Sequence, residues 1–260
     1  MTREDERRPA SARRTLLPLL PSLFTVGNLL CGWAVVVHAL RGDLGGAAPF
    51  VALAILFDMF DGRIARLTGT TSAFGAQLDS LADLVSFGVA PALLAYRWGL
   101  EPLGLLGWLA GAAFLTAAAV RLARFNVHAA HTESAQVEST GPSSEDGDAA
   151  LAHDPGSHFS GLPSPAAAAV IAATVLMAPA GLHTLPSAVL ALAVTLVPAV
   201  LMVSTLPFRS FKSVHVHAGR TVPLVAVACL VAVFALVEPH AAFLVAAYAY
   251  LTSGLVEFAA

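Results

Sequence analysis

Charged residues are scarce in this chain. Only 12% of its 260 residues are Asp, Glu, Lys or Arg, whereas 57% are hydrophobic, and the mean hydropathy is +0.75. An ordinary soluble domain is about half apolar and about a quarter charged. The composition therefore excludes an ordinary soluble globular protein and indicates a chain that is folded in lipid.

Cysteine is nearly absent, and basic residues form no run. Cys31 and Cys229 lie far apart in apolar stretches, which predicts small buried side chains and excludes a disulfide framework or a cysteine metal site. The net charge is −3, and no basic face suggests a nucleic-acid partner. The first apolar run follows a charged arm and exceeds signal-peptide length, so we expect no cleavable signal peptide.

The chain contains many long apolar runs. A helix that spans a membrane needs about 20 mostly apolar residues. Eight runs approach this length, at 17–40, 47–67, 76–96, 103–126, 163–181, 185–206, 221–238 and 240–258. We therefore predict an all-α, polytopic membrane bundle of about eight helices.

The same pattern predicts four regions. A charged cytoplasmic arm covers 1–15, and the first four membrane helices lie within 16–127. A stretch rich in Ser, Ala, Asp, Glu and Gly covers 128–158 and has too little apolar content to fold alone, which predicts a disordered cytoplasmic loop. The last four membrane helices lie within 159–260.

Basic residues mark one side of the predicted bundle. With a cytoplasmic N-terminus and eight spans, only Arg41 and Arg97 of the 14 Lys and Arg fall outside. Cytoplasmic loops of membrane proteins carry an excess of Lys and Arg. The distribution therefore predicts both termini in the cytoplasm and an even number of spans.

Four aspartates lie where the second predicted span ends and the third begins. Asp58 and Asp61 are three residues apart, and Asp79 and Asp83 are four apart, so each pair shares one face of a helix. A short connection over 67–74 would bring the two faces together. Such carboxylates cannot all stay ionised near a membrane unless cations lie among them. Oxygen ligands favour magnesium, manganese or calcium, and four carboxylates could share two ions.

Neighbouring residues suit a phosphate-bearing ligand. Gly62 and Gly75 leave space where a ligand must approach the backbone, and Arg66 offers a planar fork for phosphate. The alternative is that the acids merely form ion pairs with Arg63 and Arg66 at a helix boundary. One Asp–Arg pair would fit that alternative. Four acids in register would not, because each additional charge within a membrane costs free energy.

The spacing from Asp58 to Asp83 is Asp-x2-Asp-Gly-x2-Ala-Arg-x8-Gly-x3-Asp-x3-Asp. It resembles, without a departure, the signature of the CDP-alcohol phosphatidyltransferase family. The resemblance implies a membrane enzyme in which an alcohol attacks the lipid-side phosphate of CDP-diacylglycerol and CMP leaves.

Several residue roles are implied by this resemblance. Asp58, Asp61 and Asp79 would bind the metal, as two divalent ions, Mg²⁺ or Mn²⁺. Asp83 would complete the second metal site and act as the catalytic base. The CDP-diacylglycerol site would include Gly62, Arg66, Ser72 and Gly75.

Other segments resemble the bacterial phosphatidylserine synthase branch of the family. They lie at 21–32, 121–126, 159–167 and 202–212, in the same order along most of the chain. The resemblance implies L-serine as the acceptor, phosphatidylserine as the product and a homodimer in the bacterial cytoplasmic membrane, with the active site at the cytoplasmic face.

Polar residues in these segments are candidates for substrate contacts. Thr25 and Asn28 share a helical face and could reach CDP-diacylglycerol or a neighbouring helix. The carboxylate of serine needs cationic donors. Candidates for the serine site on the cytoplasmic side are Arg121, Arg124, Lys212 and, as an orienting amide, Asn126. For each basic residue the alternative is a charge that anchors the helix at the membrane surface.

Two other functions stay open at this point. Glycerol 3-phosphate or inositol phosphate could be the acceptor, although the segments of the phosphatidylserine synthase branch argue against it. A non-enzymatic cation carrier would need acids spread through the membrane depth, whereas these four cluster at one interface.

Overall fold

The computed structural model describes residues 19–68, 73–138, 158–182, 184–205, 207–209 and 239–259. Side chains are described within 23–64, 74–128, 161–182, 184–205 and 240–252. The predicted span 221–238, Ser72 and Lys212 lie outside these ranges, as does the side chain of Arg66.

The described residues form a bundle of helices. In chain order these are α1 Leu19–Leu40, α2 Leu44–Thr68, α3 Ala73–Asp83, α4 Ala90–Ala95, α5 Leu105–Glu138, α6 Ser164–Met177, α7 Leu185–Val203 and α8 Pro239–Ala259. Five stretches are long and apolar enough to cross a membrane: Leu23–Leu40, Leu44–Ile64, Phe74–Leu103, Leu105–His128 and Leu185–Val203. The apolar helices within α6 and α8 are shorter. The prediction of a helical protein with several membrane-crossing helices is confirmed at this level.

The third membrane-crossing stretch, Phe74–Leu103, is not a single continuous α-helix, although its apolar run predicted one. We call this stretch the third crossing. A π-helical turn, Leu84–Val89, follows α3 directly after Asp83, and a second one, Tyr96–Leu100, follows α4 before a 3₁₀ turn at Glu101–Leu103. Extra residues in π turns shift the side-chain register and often mark functional sites.

The first π turn packs closely against α1. A Cβ atom on Gly32 would lie 2.8 Å from the Cα atom of Ser86, so only glycine permits this approach. Small residues commonly allow such close contact between membrane helices.

The prediction of a disordered loop over 128–158 is wrong for its first part, since α5 continues to Glu138. Residues 128–138 contain Ala, Glu and Gln, which favour helix, and they extend a helix that is already nucleated. The expectation of an all-α chain also missed a small ladder. Strands β1 His158–Ser160 and β2 Pro207–Arg209 pair antiparallel, with Phe159 opposite Phe208. Strands of three residues are too short to show the alternation by which a strand is recognised.

The ladder joins the beginning of α6 to the region after α7. Gly161 has φ +87°, and a Cβ atom there would lie 2.6 Å from the Met202 carbonyl oxygen. The Leu162 amide donates to the Leu201 carbonyl at 2.9 Å. This turn therefore requires glycine, both for its backbone angle and for its close approach to α7.

Polar contacts at one end of the bundle hold α1 to α2 and the third crossing to the segment after α6. Asp43 caps α2 by accepting from the Gly46 amide at 3.0 Å. Hydrogen bonds from His38 and then from Gly46 lower the pKa of the Asp43 carboxyl. The Trp98 indole donates to the Ala178 carbonyl at 2.9 Å. The four aspartates lie toward the other end of the bundle. Two of them lie in the second half of α2, far from the Asp43 cap at its start, and the other two lie near the start of the stretch Phe74–Leu103, far from Trp98 near its end.

Candidate active site

Three of the four aspartates converge between α2 and α3. Carboxylate oxygens of Asp58, Asp79 and Asp83 all lie within 4.8 Å of one another. Asp79 and Asp83 are one turn apart on α3, so they face α2 together. The structure thus brings together the two acidic faces that the sequence places on separate helices.

Asp61 lies beside this cluster and is more enclosed. It is only 6% exposed, and Oδ2 of its carboxylate accepts a hydrogen bond from the Thr25 hydroxyl of α1. Its carboxyl group also comes within hydrogen-bonding reach of Asp79. Asp61 therefore connects α1 to the acidic cluster.

Asn28 makes a second connection from α1. Its side chain is fully buried, and Nδ2 donates to Oδ1 of Asp83 at 2.9 Å. Its backbone carbonyl accepts from the Ser86 hydroxyl at 2.9 Å. Thr25 and Asn28, which share one face of α1, thus hold one carboxylate on α2 and one on α3.

The cluster contains acceptor atoms that lack donors. Oδ1 of Asp79 and Oδ1 of Asn28 are shielded from solvent and have no hydrogen-bond partner among the described residues. The two ion pairs seen between described side chains, His38–Asp43 and Arg97–Glu101, involve none of the four acids. Clustered carboxylates and an orphaned amide oxygen are hard ligands, so the donor set fits a divalent cation such as Mg²⁺ or Mn²⁺.

Arg121 of α5 is a cation that interacts with the cluster. It interacts electrostatically with Asp83 and with Tyr250 of α8, and its Nη1 donates to the Ser164 hydroxyl at 3.3 Å. Its Nε is shielded from solvent and has no partner among the described residues. The guanidinium is therefore held by a hydrogen bond to Ser164, while its Nε donor still lacks an acceptor among the described residues.

The other two described candidates for the serine site contact neighbouring helices. Arg124 is exposed, and its Nη1 donates to the Val203 carbonyl at 3.0 Å, at the C-terminal end of α7. Nδ2 of Asn126 donates to the Ser80 hydroxyl of α3 at 3.0 Å. Both side chains therefore contribute to helix packing near the site.

Three residues at the site were missed from the sequence. Ser86 lies three residues after Asp83 on the same helical path, and this spacing could have revealed it. Ser164 stands between two prolines, where a helix-starting role is the simpler interpretation. Tyr250 had no local signal, because its relation to Arg121 arises only from the packing of α8.

The remaining predicted residues contribute less to this geometry. Gly62 lies on α2, within one residue of Asp61, and Gly75 lies in the first turn of α3.

Comparisons with known proteins identify the family of this chain. Residues 18–145 match the family model of the CDP-alcohol phosphatidyltransferases. A CDP-diacylglycerol–serine O-phosphatidyltransferase of Helicobacter pylori is 37% identical over 200 residues, 76% of this chain and 75% of that protein. An enzyme of the same name from Mycobacterium tuberculosis is 31% identical over 250 residues, 94% of this chain and 79% of that protein. An archaetidylserine synthase of Methanothermobacter thermautotrophicus is 38% identical over 110 residues, 42% of this chain and 47% of that protein. The chain therefore belongs to the CDP-alcohol phosphatidyltransferase family.

Proposed function

We propose that this enzyme transfers the phosphatidyl group of CDP-diacylglycerol to L-serine and releases phosphatidylserine and CMP. The observation that carries the proposal is the Arg121 guanidinium, which interacts electrostatically with Asp83 of the acidic cluster and whose Nε donor has no partner among the described residues. The relatives named for the serine reaction support this acceptor.

The acidic cluster is the proposed site of two divalent ions, Mg²⁺ or Mn²⁺. Asp58, Asp61, Asp79 and Asp83 would hold them, and the unpartnered oxygen of Asp79 is consistent with a ligand role. When bound, the ions supply charge neutralisation for the diphosphate in the transition state.

Asp83 is the proposed base. Asn28 holds Oδ1 of its carboxylate at 2.9 Å, so Oδ2 is the oxygen that takes the proton from the acceptor hydroxyl. A base contributes most when it is held at hydrogen-bonding distance from the proton that it removes. The hydrogen bond from α1 therefore orients the base before the substrates meet.

The substrate subsites follow the sequence motif. For CDP-diacylglycerol we retain Gly62, Arg66, Ser72 and Gly75, with Thr25 and Asn28 acting through the carboxylates that they hold. For serine, Arg121 is the main candidate, and Arg124, Asn126 and Lys212 would shape the surrounding surface.

The proposed setting is a bacterial cytoplasmic membrane. Eight spans with both termini in the cytoplasm would place the acidic cluster at the cytoplasmic face, where CDP-diacylglycerol and dissolved serine meet. The excess of Lys and Arg on that side supports this orientation. A homodimer is the proposed assembly.

A panel of acceptors tests the function. Purified enzyme with CDP-diacylglycerol and Mg²⁺ or Mn²⁺ should release CMP with L-serine, and release with glycerol 3-phosphate or inositol phosphate should stay near background. CMP release with only a phosphate-bearing acceptor would disprove the serine assignment. Metal uptake without CMP release with any acceptor would favour a cation carrier.

The Thr25 hydroxyl gives a test of how the carboxylates are held. We expect Thr25→Val to lower kcat about tenfold, because Asp61 loses a buried hydrogen bond to a charged group. The matched control is Thr116→Val, since that exposed hydroxyl donates to the Ala112 carbonyl of its own helix at 2.8 Å. A rise in the KM for CDP-diacylglycerol with unchanged kcat would instead indicate that Thr25 contacts the nucleotide.

A further inference from the structure

The chemistry of the proposed acceptor limits where its carboxylate can lie. In serine, only Cα and Cβ separate the carboxylate from the reacting hydroxyl. If the hydroxyl lies against Asp83, the carboxylate must lie close to the same residue. Among the described residues, Arg121 is the cation that interacts electrostatically with Asp83, so the orientation of its guanidinium would determine how an amino acid is held.

Two side chains outside the sequence motif interact with this guanidinium. The hydroxyl of Ser164, which is 1% exposed, accepts from Nη1 at 3.3 Å. The phenol of Tyr250 interacts with Arg121 from the side of α8. The hydrogen bond to α6 and the electrostatic interaction with α8 favour one orientation of a long side chain that would otherwise have many rotamers.

These contacts leave one donor of Arg121 unused. Nε is shielded from solvent and has no partner among the described residues. A buried donor without an acceptor is costly and calls for an explanation. Because guanidinium nitrogens bind a carboxylate in parallel pairs, an acceptor carboxylate that approaches the Nε edge would satisfy this donor.

Helix α8 is itself anchored next to this position. The Tyr248 hydroxyl and the Thr174 hydroxyl of α6 are 2.9 Å apart. Tyr250 lies two residues further along α8 and so points in a different direction from Tyr248. One tyrosine thus joins α8 to α6, while the other interacts electrostatically with Arg121 on α5.

We propose that Ser164 and Tyr250 are positioning residues for the acceptor. They hold Arg121 beside Asp83 with its Nε edge directed to the carboxylate of an amino-acid acceptor. This inference rests on the proposed serine reaction and deepens it. It makes α8 part of the acceptor site, so α8 does more than extend the bundle.

The test compares Tyr250→Phe and Ser164→Ala with the control Thr252→Val, which removes an exposed hydroxyl of the same helix that donates to the Tyr248 and Ala249 carbonyls of α8 itself. We expect the first two variants to raise the KM for L-serine about tenfold, the effect of one weakened charge-assisted hydrogen bond. Their KM for CDP-diacylglycerol should stay within about twofold of the wild type, as should both KM values of Thr252→Val.

A second measurement separates positioning from general loosening of the fold. L-Alanine retains the amino-acid carboxylate but lacks the hydroxyl, so its inhibition constant should rise in parallel with the serine KM in Tyr250→Phe. An unchanged serine KM, or equal increases for both substrates, would overturn the inference and leave the proposed function intact. CMP release by the wild type with glycerol 3-phosphate but not with serine would overturn both.

Discussion

Replacement of Asp83 by Asn is expected to lower the rate of CMP release by about 10²–10⁴-fold, the usual contribution of a general base. An amide of the same shape cannot take the proton of the acceptor hydroxyl at neutral pH. Its oxygen can still accept from Nδ2 of Asn28, which now donates to Asp83 at 2.9 Å. The measurements are single-turnover CMP release and equilibrium binding of CDP-diacylglycerol, and binding should remain within a few-fold of the wild type.

The matched control for this variant is Asp43→Asn. Asp43 is an exposed aspartate that caps α2 through the Gly46 amide, and Asn caps helices about as well as Asp. The control should release CMP at the wild-type rate. Full turnover by Asp83→Asn would exclude Asp83 as the base and would direct the search to its neighbours in the cluster.

Removal of divalent metal is expected to abolish turnover. Dialysis against a chelator should reduce CMP release to background, and added Mg²⁺ or Mn²⁺ should restore it. Without cations the carboxylates of Asp58, Asp79 and Asp83, which lie within 4.8 Å of one another, repel each other and lack compensation for burial. The site then has no positive charge with which to hold a diphosphate except that of nearby arginines.

A variant of the cluster makes the metal prediction specific. We expect Asp58→Asn to raise the metal concentration for half-maximal activity at least about tenfold. Direct binding of Mn²⁺, followed by electron paramagnetic resonance, should weaken in parallel. Glu101→Gln is the control, since that carboxylate pairs with Arg97 at 2.8 Å at the other end of the bundle. Wild-type activity in a metal-free preparation would disprove the metal requirement.

Local patterns in the sequence predicted more of this protein than they missed. The seven apolar runs that fall among the described residues all correspond to helices, because hydrophobic length is a local property. The acidic pairs were assigned to common faces for the same reason, since helical periodicity places residues three and four apart together.

The errors arose where a local pattern has more than one outcome. The helix α5 runs on to Glu138 because propensity extends it beyond its apolar part. The π turn after Asp83 was not predicted, because an α-helix and a π-helix give the same hydrophobic pattern over so short a stretch. Arg124 and Asn126 stay predicted residues of the serine site, and the structure adds a contact between each of them and a neighbouring helix.

The sequence by itself showed that this is a helical membrane protein. It also contained the acidic motif and, through the motif, indicated the family. Only the tertiary structure decided which side chains hold the carboxylates and the arginine. Thr25 and Asp61 are 36 residues apart, and Asn28 and Asp83 are 55 apart. Tyr250, on the last described helix, interacts electrostatically with Arg121. Such contacts depend on how helices pack, and packing depends on the shapes of many side chains at once, which no periodicity within a single segment encodes.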